Sequence, residues 1–359
     1  MNIRQKRGDR MDMREICGNI MLPDEKAMKE CRRRWDSIAK PLHSLGKLED
    51  LIVKIAGITG DCNLDLSKKA LVCMCADNGV VKEGISQSGQ DVTAIVSENL
   101  LTGKATSSVM CRHLNVDLFA VDVGIACETR LIQKKTAYGT KNMVKEPAMT
   151  REETLSAVNA GISMAYELKK KGYQIIATGE MGIGNTTTSS AVASVLLNRS
   201  VSEMTGRGAG LSSQGLSRKI RVIEQAVNLH NPDPQDPVDV LSKVGGFDLA
   251  ALFGLFLGGA AAKIPIVMDG FISGTAALAA VTICPDAVHY ILPSHRSKEP
   301  AAKILLDALG LETCLDCSMS LGEGTGALAL YPLLDLALAV YHGMSTFEEI
   351  DVEQYVPLV

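Results

Sequence analysis

The fold class this sequence predicts is α/β: an open, doubly wound, mainly parallel sheet. Three observations point to it. Apolar runs of strand length alternate with helical patterns from residue 69 onward. Several of those runs end in Asp-Gly, Asp-Asn-Gly or Gly-Glu, the kind of turn that lies at the carboxyl edge of a parallel sheet. Thirty-two glycines and only 4% aromatics indicate tight turns and close helix–sheet packing. At 359 residues the chain can bury one large core or two unequal domains. A net charge of -4 provides no general electrostatic reason to bind nucleic acid.

Taken in order, residues 1–20 read as a loosely held leader whose charged start lacks the apolar core of a signal peptide. The spacing of Ala27, Cys31, Trp35 and Ile38 predicts a helix over 24–40, with Arg32, Arg33 and Arg34 on its solvated face. A second helix is expected over 47–56. KALVCMCA (69–76) is a buried strand ending in Asp77-Asn78-Gly79, a candidate edge of a site. Helices over 92–101 and 104–114 lead to a strand over 115–123 with Asp122 at its end. Residues 125–149 are polar and irregular and read as a loop or flap over the site. Thr150 and Glu153 form a capping-box pattern for a helix over 152–171.

The next stretch, YQIIATGEMGIGNTTTSSAVASVL (173–196), is the one the rest of the chain serves. Ile175-Ile176-Ala177 reads as a strand. Gly179, Gly182 and Gly184 then lead through Asn185-Thr186-Thr187-Thr188 into a small-residue helix. Unpaired NH groups and the dipole at a helix start attract anions, glycines admit a phosphate to the backbone, and Asn or Thr can cap the helix. The stretch is neither a Walker loop nor a dinucleotide fingerprint. A second glycine cluster, Gly206, Gly208 and Gly210 around Arg207, precedes a helix carrying Arg218, Lys219 and Arg221. The two clusters with Arg207 and Lys219 suit one phosphate, although a single Lys or Arg is by default a surface charge.

Further on, 231–237 is a proline-rich turn, and the apolar 249–261 reads as an interior helix, too short and glycine-rich for a membrane span. A strand over 265–268 ends in Asp269-Gly270. An Ala-rich helix follows over 275–282, then a short strand over 289–292, Pro293-Ser294-His295, a helix over 300–309 and a last helix over 326–341. In SMSLGEGTGALAL (318–330), Glu323 sits between Gly322 and Gly324 beside Met319 and Leu321. A partly buried carboxylate there could act as a general base, though spacing alone favours a solvated glutamate at a helix start. Glu180 and Asp269 are further carboxylates able to face the same space.

Ten cysteines form no disulfide pattern, and reduced, mostly buried thiols are expected. Cys314-x-x-Cys317 lacks a redox context. Six scattered histidines form no metal triad. The residues therefore describe an enzyme acting on a phosphorylated small molecule, with one carboxylate base and no metal or other cofactor.

Read together, ADNGVVKEGIS, GEMGIGNTTTSSA, GRGAGLSSQGLSRKI, DVLSKVGGFDLAALFGLFLGGA, DGFISGTAALAA, PSHRSKEPA and SLGEGTGALAL resemble the nicotinate-nucleotide–dimethylbenzimidazole phosphoribosyltransferase family of cobalamin nucleotide-loop assembly. The resemblance covers nearly the whole chain. It implies a Rossmann-like large domain (61–325) and a small helical domain built from both chain ends (1–60 and 326–359), in a cytoplasmic homodimer without membrane or nucleic-acid partners. It implies transfer of the 5-phosphoribosyl group of nicotinate mononucleotide to a benzimidazole-type base, releasing nicotinate and giving the α-ribazole 5′-phosphate. The family's catalytic glutamate falls on Glu323. Its phosphate-binding elements fall on Gly182, Gly206, Gly208 and Lys219; Gly184, Asn185, Thr186 and Arg207, singled out above from the residues themselves, complete the candidate phosphate- and ribose-binding set. The base-binding or site-lining positions fall on Ser86, Ser88, Gln90, Glu180, Met181, Asp269 and Leu321. The chain departs from the family at Asn78, at Leu42-His43 and in ISQSGQ (85–90), which lacks the usual aromatic and proline. Substituted benzimidazoles, adenine and other lower-ligand bases are all open as acceptors. Two other readings of the glycine clusters are another nucleotide-handling enzyme on the same fold and a non-catalytic nucleotide-binding protein.

Overall fold

The computed structural model describes residues 13–356. Helices α1 (Met13–Gly18), α2 (Glu25–Ser37) and α3 (Lys47–Thr59) precede β1 (Lys69–Ala76). Then come α4 (Asp91–Thr102), α5 (Thr106–Leu114), β2 (Asp117–Gly124), β3 (Ile132–Gln133), α6 (Arg151–Lys170) and β4 (Ile175–Met181). Helices α7 (Asn185–Leu196), α8 (Val201–Met204), α9 (Ser213–His230), α10 (Pro237–Val244) and α11 (Phe247–Ala261) lead to β5 (Ile266–Met268). The chain finishes with α12 (Phe271–Ile283), β6 (Ile291–Pro293), α13 (Ala302–Leu309) and α14 (Thr325–Gly343).

The six strands form one sheet in the order β3-β2-β1-β4-β5-β6, and every neighbouring pair is parallel. From β1 the chain winds outward to β2 and β3; it then crosses back to β4 and winds the other way. The carboxyl ends of β1 and β4 therefore flank the point where the winding reverses, which is where open α/β sheets bind ligands. The α/β, doubly wound reading thus holds.

Alternation along the strands decides which helices cover which face. Ala70, Val72 and Met74 of β1 join the core formed with α6, α11 and α12. Leu71 joins the opposite core with α3 and α14, and Cys73 and Cys75 pack against Leu100 and Ala105 beside α4. Helix α11 is buried along almost its whole length, as an interior helix should be. It lies so close to α6 that a Cβ at Gly254 would overlap the Val158 carbonyl oxygen, and one at Gly161 that of Ala251. Gly254→Leu is therefore expected to destabilise the fold by about 3 kcal/mol or more, because backbone rather than a side chain must give way. A melting temperature within a degree of wild type would contradict this packing.

The two chain ends meet. Trp35 stacks edge-on against Tyr341 with ring centroids 5.0 Å apart, and Ile38 bridges Thr346. A buried Lys40–Glu49 ion pair of 2.6 Å closes the turn after α2. Helix α14 is long and apolar enough to cross a membrane by length and composition. It is nonetheless a core helix, with Leu328, Leu330 and Leu334 fully buried and the Tyr331 hydroxyl donating to the Ala70 carbonyl.

Several boundaries differ from the sequence reading. Of the expected leader, residues 1–12 lie outside the described residues. Met13–Gly18 is a helix whose buried Ile16 faces the core beside α11, because an apolar residue can be held there that composition alone leaves loose. Strand β4 runs on to Met181, past Gly179. A side chain at 179 would meet the Glu323 backbone at 2.9 Å, so that glycine permits a close crossing instead of ending the strand. The segment 125–149 is not a flap. Ile132 and Gln133 add an edge strand to β2, Thr140 N donates to Asp77 O, and Ala148 N donates to Lys243 O. The backbone pairing that holds it there leaves no regular periodicity to read.

Candidate active site

A cavity of about 320 Å³ opens beyond the carboxyl ends of β4 and β5, within the range of small-molecule sites. One end gathers the cations. Lys219 projects from α9 and is 1% exposed; its Nζ donates to Thr186 Oγ1 at 2.8 Å and to the Gly206 carbonyl at 3.3 Å. It is no surface charge. Burial pulls its pKa down to about 8, the neighbouring Glu299 acting in the opposite direction. A buried ammonium with only neutral hydrogen-bond partners is costly, and an anion brought beside it relieves that cost. Gly208, with φ at +53°, carries the loop past Thr186 so tightly that a Cβ would lie 2.8 Å from Thr186 Oγ1. The Arg207 guanidinium is exposed, lines the cavity and is held by Leu211 O and Ser213 Oγ.

Helix α7 opens toward this end. The expected Asn or Thr cap is absent: the capping residue is Gly184, at φ +92°, with no side-chain cap. The helix start is thus left open toward the cavity, which Gly184, Asn185 and Thr186 line. Asn185, read as a phosphate- or ribose-binding position, lines the cavity, but its amide is engaged with acids. Its side-chain nitrogen donates to Glu180 Oε2 and, at 3.0 Å, to Asp248 Oδ2.

Glu299 lines the cavity beside Lys219, and a further group of acids comes from the ends of β4 and β5 and the loop before α14. Glu323 occupies the left-handed region (φ +57°) between Gly322 (φ +91°) and Gly324 (φ +79°). That conformation costs a residue with a side chain about 1–2 kcal/mol, and such strain concentrates at functional sites. The loop lies across β4, where a Cβ at Gly324 would run into Leu71 and one at Gly322 into Glu180 Oε1. Glu323 Oε2 accepts from the Ser107 backbone NH at 3.2 Å and its hydroxyl at 3.1 Å, in the first turn of α5. The carboxyl pushed toward neutrality is Glu180, raised to about 8 by burial and by the Asp248 charge. Asp269 is buried and raised as well, mainly by desolvation, with His295 Nδ1 3.9 Å away.

Of the positions singled out from sequence, Glu323, Gly182, Gly184, Asn185, Thr186, Arg207, Gly208, Lys219, Ser86, Glu180, Met181, Asp269 and Leu321 all line the cavity. Gly206 lies behind it, supplying its carbonyl to Lys219 and closely facing Glu299. Ser88 and Gln90 do not line it. Gln90 turns back to donate to Asn78 O, while Gln87 reaches over the cavity to Gly210 O at 2.6 Å. Asp77 and Asp122, ending β1 and β2, are buried below: Asp77 accepts from Ala126 N, and Asp122 accepts from Gly124 N, Ile125 N and Thr129 and pairs with Lys135. Sequence reasoning missed the apolar wall of Ile85, Val92 and Val96, and also Phe271. The helical spacing of Val92 and Val96 was visible, but one exposed face does not say what it faces. Asp248 was missed because a lone Asp at a helix start reads as a cap.

All ten cysteines are free: five buried, three half-buried, and Cys127 and Cys317 exposed. Among the described residues no three His, Cys, Asp or Glu side chains gather as a metal site.

A parallel sheet with a cavity beyond the carboxyl ends of β4 and β5, next to the reversal of winding and lined by a buried lysine and several carboxylates, defines an enzyme of the doubly wound class that handles an anionic small molecule. A family model described as Phosphoribosyltransferase matches residues 20–352. The nicotinate-nucleotide–dimethylbenzimidazole phosphoribosyltransferase of Acetivibrio thermocellus is 50% identical over 339 residues, covering 93% of this chain and 96% of that protein. The enzyme of that name from Ruminiclostridium cellulolyticum is 47% identical over 351 residues, covering 97% and 100%. The crystal structure of CobT from Thermus thermophilus superposes with a TM-score of 0.87 at 36% identity, covering 92% of this chain and all of that one. The chain belongs to the nicotinate-nucleotide–dimethylbenzimidazole phosphoribosyltransferase family.

Proposed function

We propose that this enzyme transfers the 5-phosphoribosyl group of nicotinate mononucleotide to 5,6-dimethylbenzimidazole or a related lower-ligand base, releasing nicotinate and forming α-ribazole 5′-phosphate for cobalamin synthesis. The observation that carries the reading is the polarity of the cavity. Buried Lys219, with Thr186 and Gly208 beside it, suits the phosphate at one end. Asp269 and Glu323 suit the ribose, where positive charge grows as the nicotinate bond breaks.

Ile85, Val92, Val96, Met181 and Leu321 offer an apolar slot for a flat aromatic base. One base nitrogen attacks the anomeric carbon with inversion, and Glu323 takes the proton from the other; nicotinate departs with the bonding pair. Ser107 holds the Glu323 carboxylate in position for this. The small domain built from both chain ends, the homodimer and the cytoplasmic location belong to the same reading. Light scattering of the purified chain tests the dimer.

The reaction is tested by incubating the protein with nicotinate mononucleotide and a panel of benzimidazoles and purines. Nicotinate release matched by an α-ribotide is expected, and the panel identifies the acceptor. Transfer to no base would overturn the reading.

A further inference from the structure

Glu180 and Asp248 come from different elements, yet one amide holds both. Asn185 Nδ2 carries two hydrogens, and they go to Glu180 Oε2 and Asp248 Oδ2. Asp248 is fully buried, does not line the cavity, and accepts from the Leu249 backbone NH at 3.0 Å in the first turn of α11. The other titratable groups facing Glu180 are Asp269 after β5, Glu323 before α14 and the Cys73 thiol on β1. His295 stands on the far side of Asp269. Carboxylates gathered this closely without a cation among them do not all ionise.

Where the proton resides follows from the surroundings. Burial raises Asp248, and the charge of nearby Asp77 adds to this, but hydrogen bonds from Asn185 and Leu249 hold the rise to about 6. Glu180 rises to about 8, through burial first and the Asp248 charge second. The Asn185 hydrogen bond works against the rise of Glu180 without cancelling it, so these directions place the pair's proton on Glu180, and two acids whose environments separate them in this way take different roles. Because Asn185 donates to Oε2, the free hydroxyl is Oε1, on the side of Gly322 and the cavity.

We propose that Asp248, whose charge Asn185 holds beside Glu180, is a positioning residue that keeps Glu180 a carboxylic acid during the reaction. Glu180 then donates a hydrogen bond from Oε1 to a lone pair on the ribose while Glu323 accepts the proton from the base. The division of labour rests on the transferase reading above. It also goes beyond it, because it assigns a residue outside the cavity a part in the chemistry.

The test is turnover against pH at saturating mononucleotide, where bound phosphate holds Lys219 charged. The wild type is expected to lose activity as pH rises through about 8, since the acid form is the active one. Asp248→Asn removes the charge that raises Glu180, so its alkaline limb should move down by about one pH unit. Glu180→Gln cannot ionise and should lose that limb, whatever its plateau. A limb that stays put in Asp248→Asn, or survives in Glu180→Gln, overturns the proposal; a purely structural Asp248 would lower turnover at every pH without moving it. Infrared difference titration of the unliganded protein needs no transfer activity and so separates failure of this proposal from failure of the reaction. A protonated-carboxyl band at neutral pH, missing in Glu180→Gln and titrating lower in Asp248→Asn, supports the proposal; no such band at neutral pH refutes it.

Discussion

Glu323→Gln should lower turnover by about 10²–10⁴-fold, the usual contribution of a positioned general base, while mononucleotide affinity stays within about twofold of wild type. The amide has nearly the shape of the carboxylate, and its oxygen can still accept from Ser107. The backbone of 322–324 therefore has no reason to rearrange. What the amide cannot do is take a proton. On the proposed reading, Lys219, Thr186 and Gly208 hold the mononucleotide's phosphate and Glu323 does not, so calorimetric binding and turnover should separate cleanly. A mutant with turnover within about tenfold of wild type would show that the base proton leaves by another route.

Lys219→Ala should act the other way, on affinity more than on turnover. A hydrogen bond to a charged group contributes about 1.5–3 kcal/mol, which corresponds to roughly 10–150-fold weaker mononucleotide binding. Unchanged affinity would remove Lys219 from the phosphate site. The same burial that prepares the lysine for an anion makes it a burden when the site is empty. Its folded pKa, about 8, lies below the ordinary lysine value. Between those two values the unfolded chain binds more protons than the folded one, so this residue's contribution to unliganded stability improves as pH rises through that window. Lys219→Met should accordingly melt higher than wild type near neutral pH without nucleotide, yet gain less from adding it.

Much of this was legible in the chain because it depends on neighbours in sequence. The apolar run KALVCMCA, the Thr150–Glu153 capping box and the Gly-flanked Glu323 all follow from residues within a few positions of one another. The capping box forms with both of its hydrogen bonds. Local reasoning failed where a distant backbone set the outcome. Gly179 read as a strand end, but it lies inside β4 because Glu323 crosses it. Asn185 read as a helix cap or a phosphate- or ribose-binding position; the cap fell to Gly184, and Glu180 and Asp248, the latter 63 residues away, take its amide. Segment 125–149 read as a loop or flap; it is largely loop, and its edge pairing and loop hydrogen bonds, which hold it to the sheet, leave little periodic trace.

By itself the sequence determined the fold class, the family and the residue types that could serve phosphate and proton transfer. These rest on periodicity, turn chemistry and motif order, which survive without coordinates. Only the tertiary structure decided which charges are buried and which acids share a proton. Lys219 became a buried cation because α9 turns it onto Thr186 and Gly206. Glu180 became the high-pKa acid because packing buries it and α11 brings the Asp248 charge close, against the opposing hydrogen bond from Asn185 on α7. Ionisation depends on desolvation and on charges within a few ångströms, and those distances exist only once the helices have packed onto the sheet.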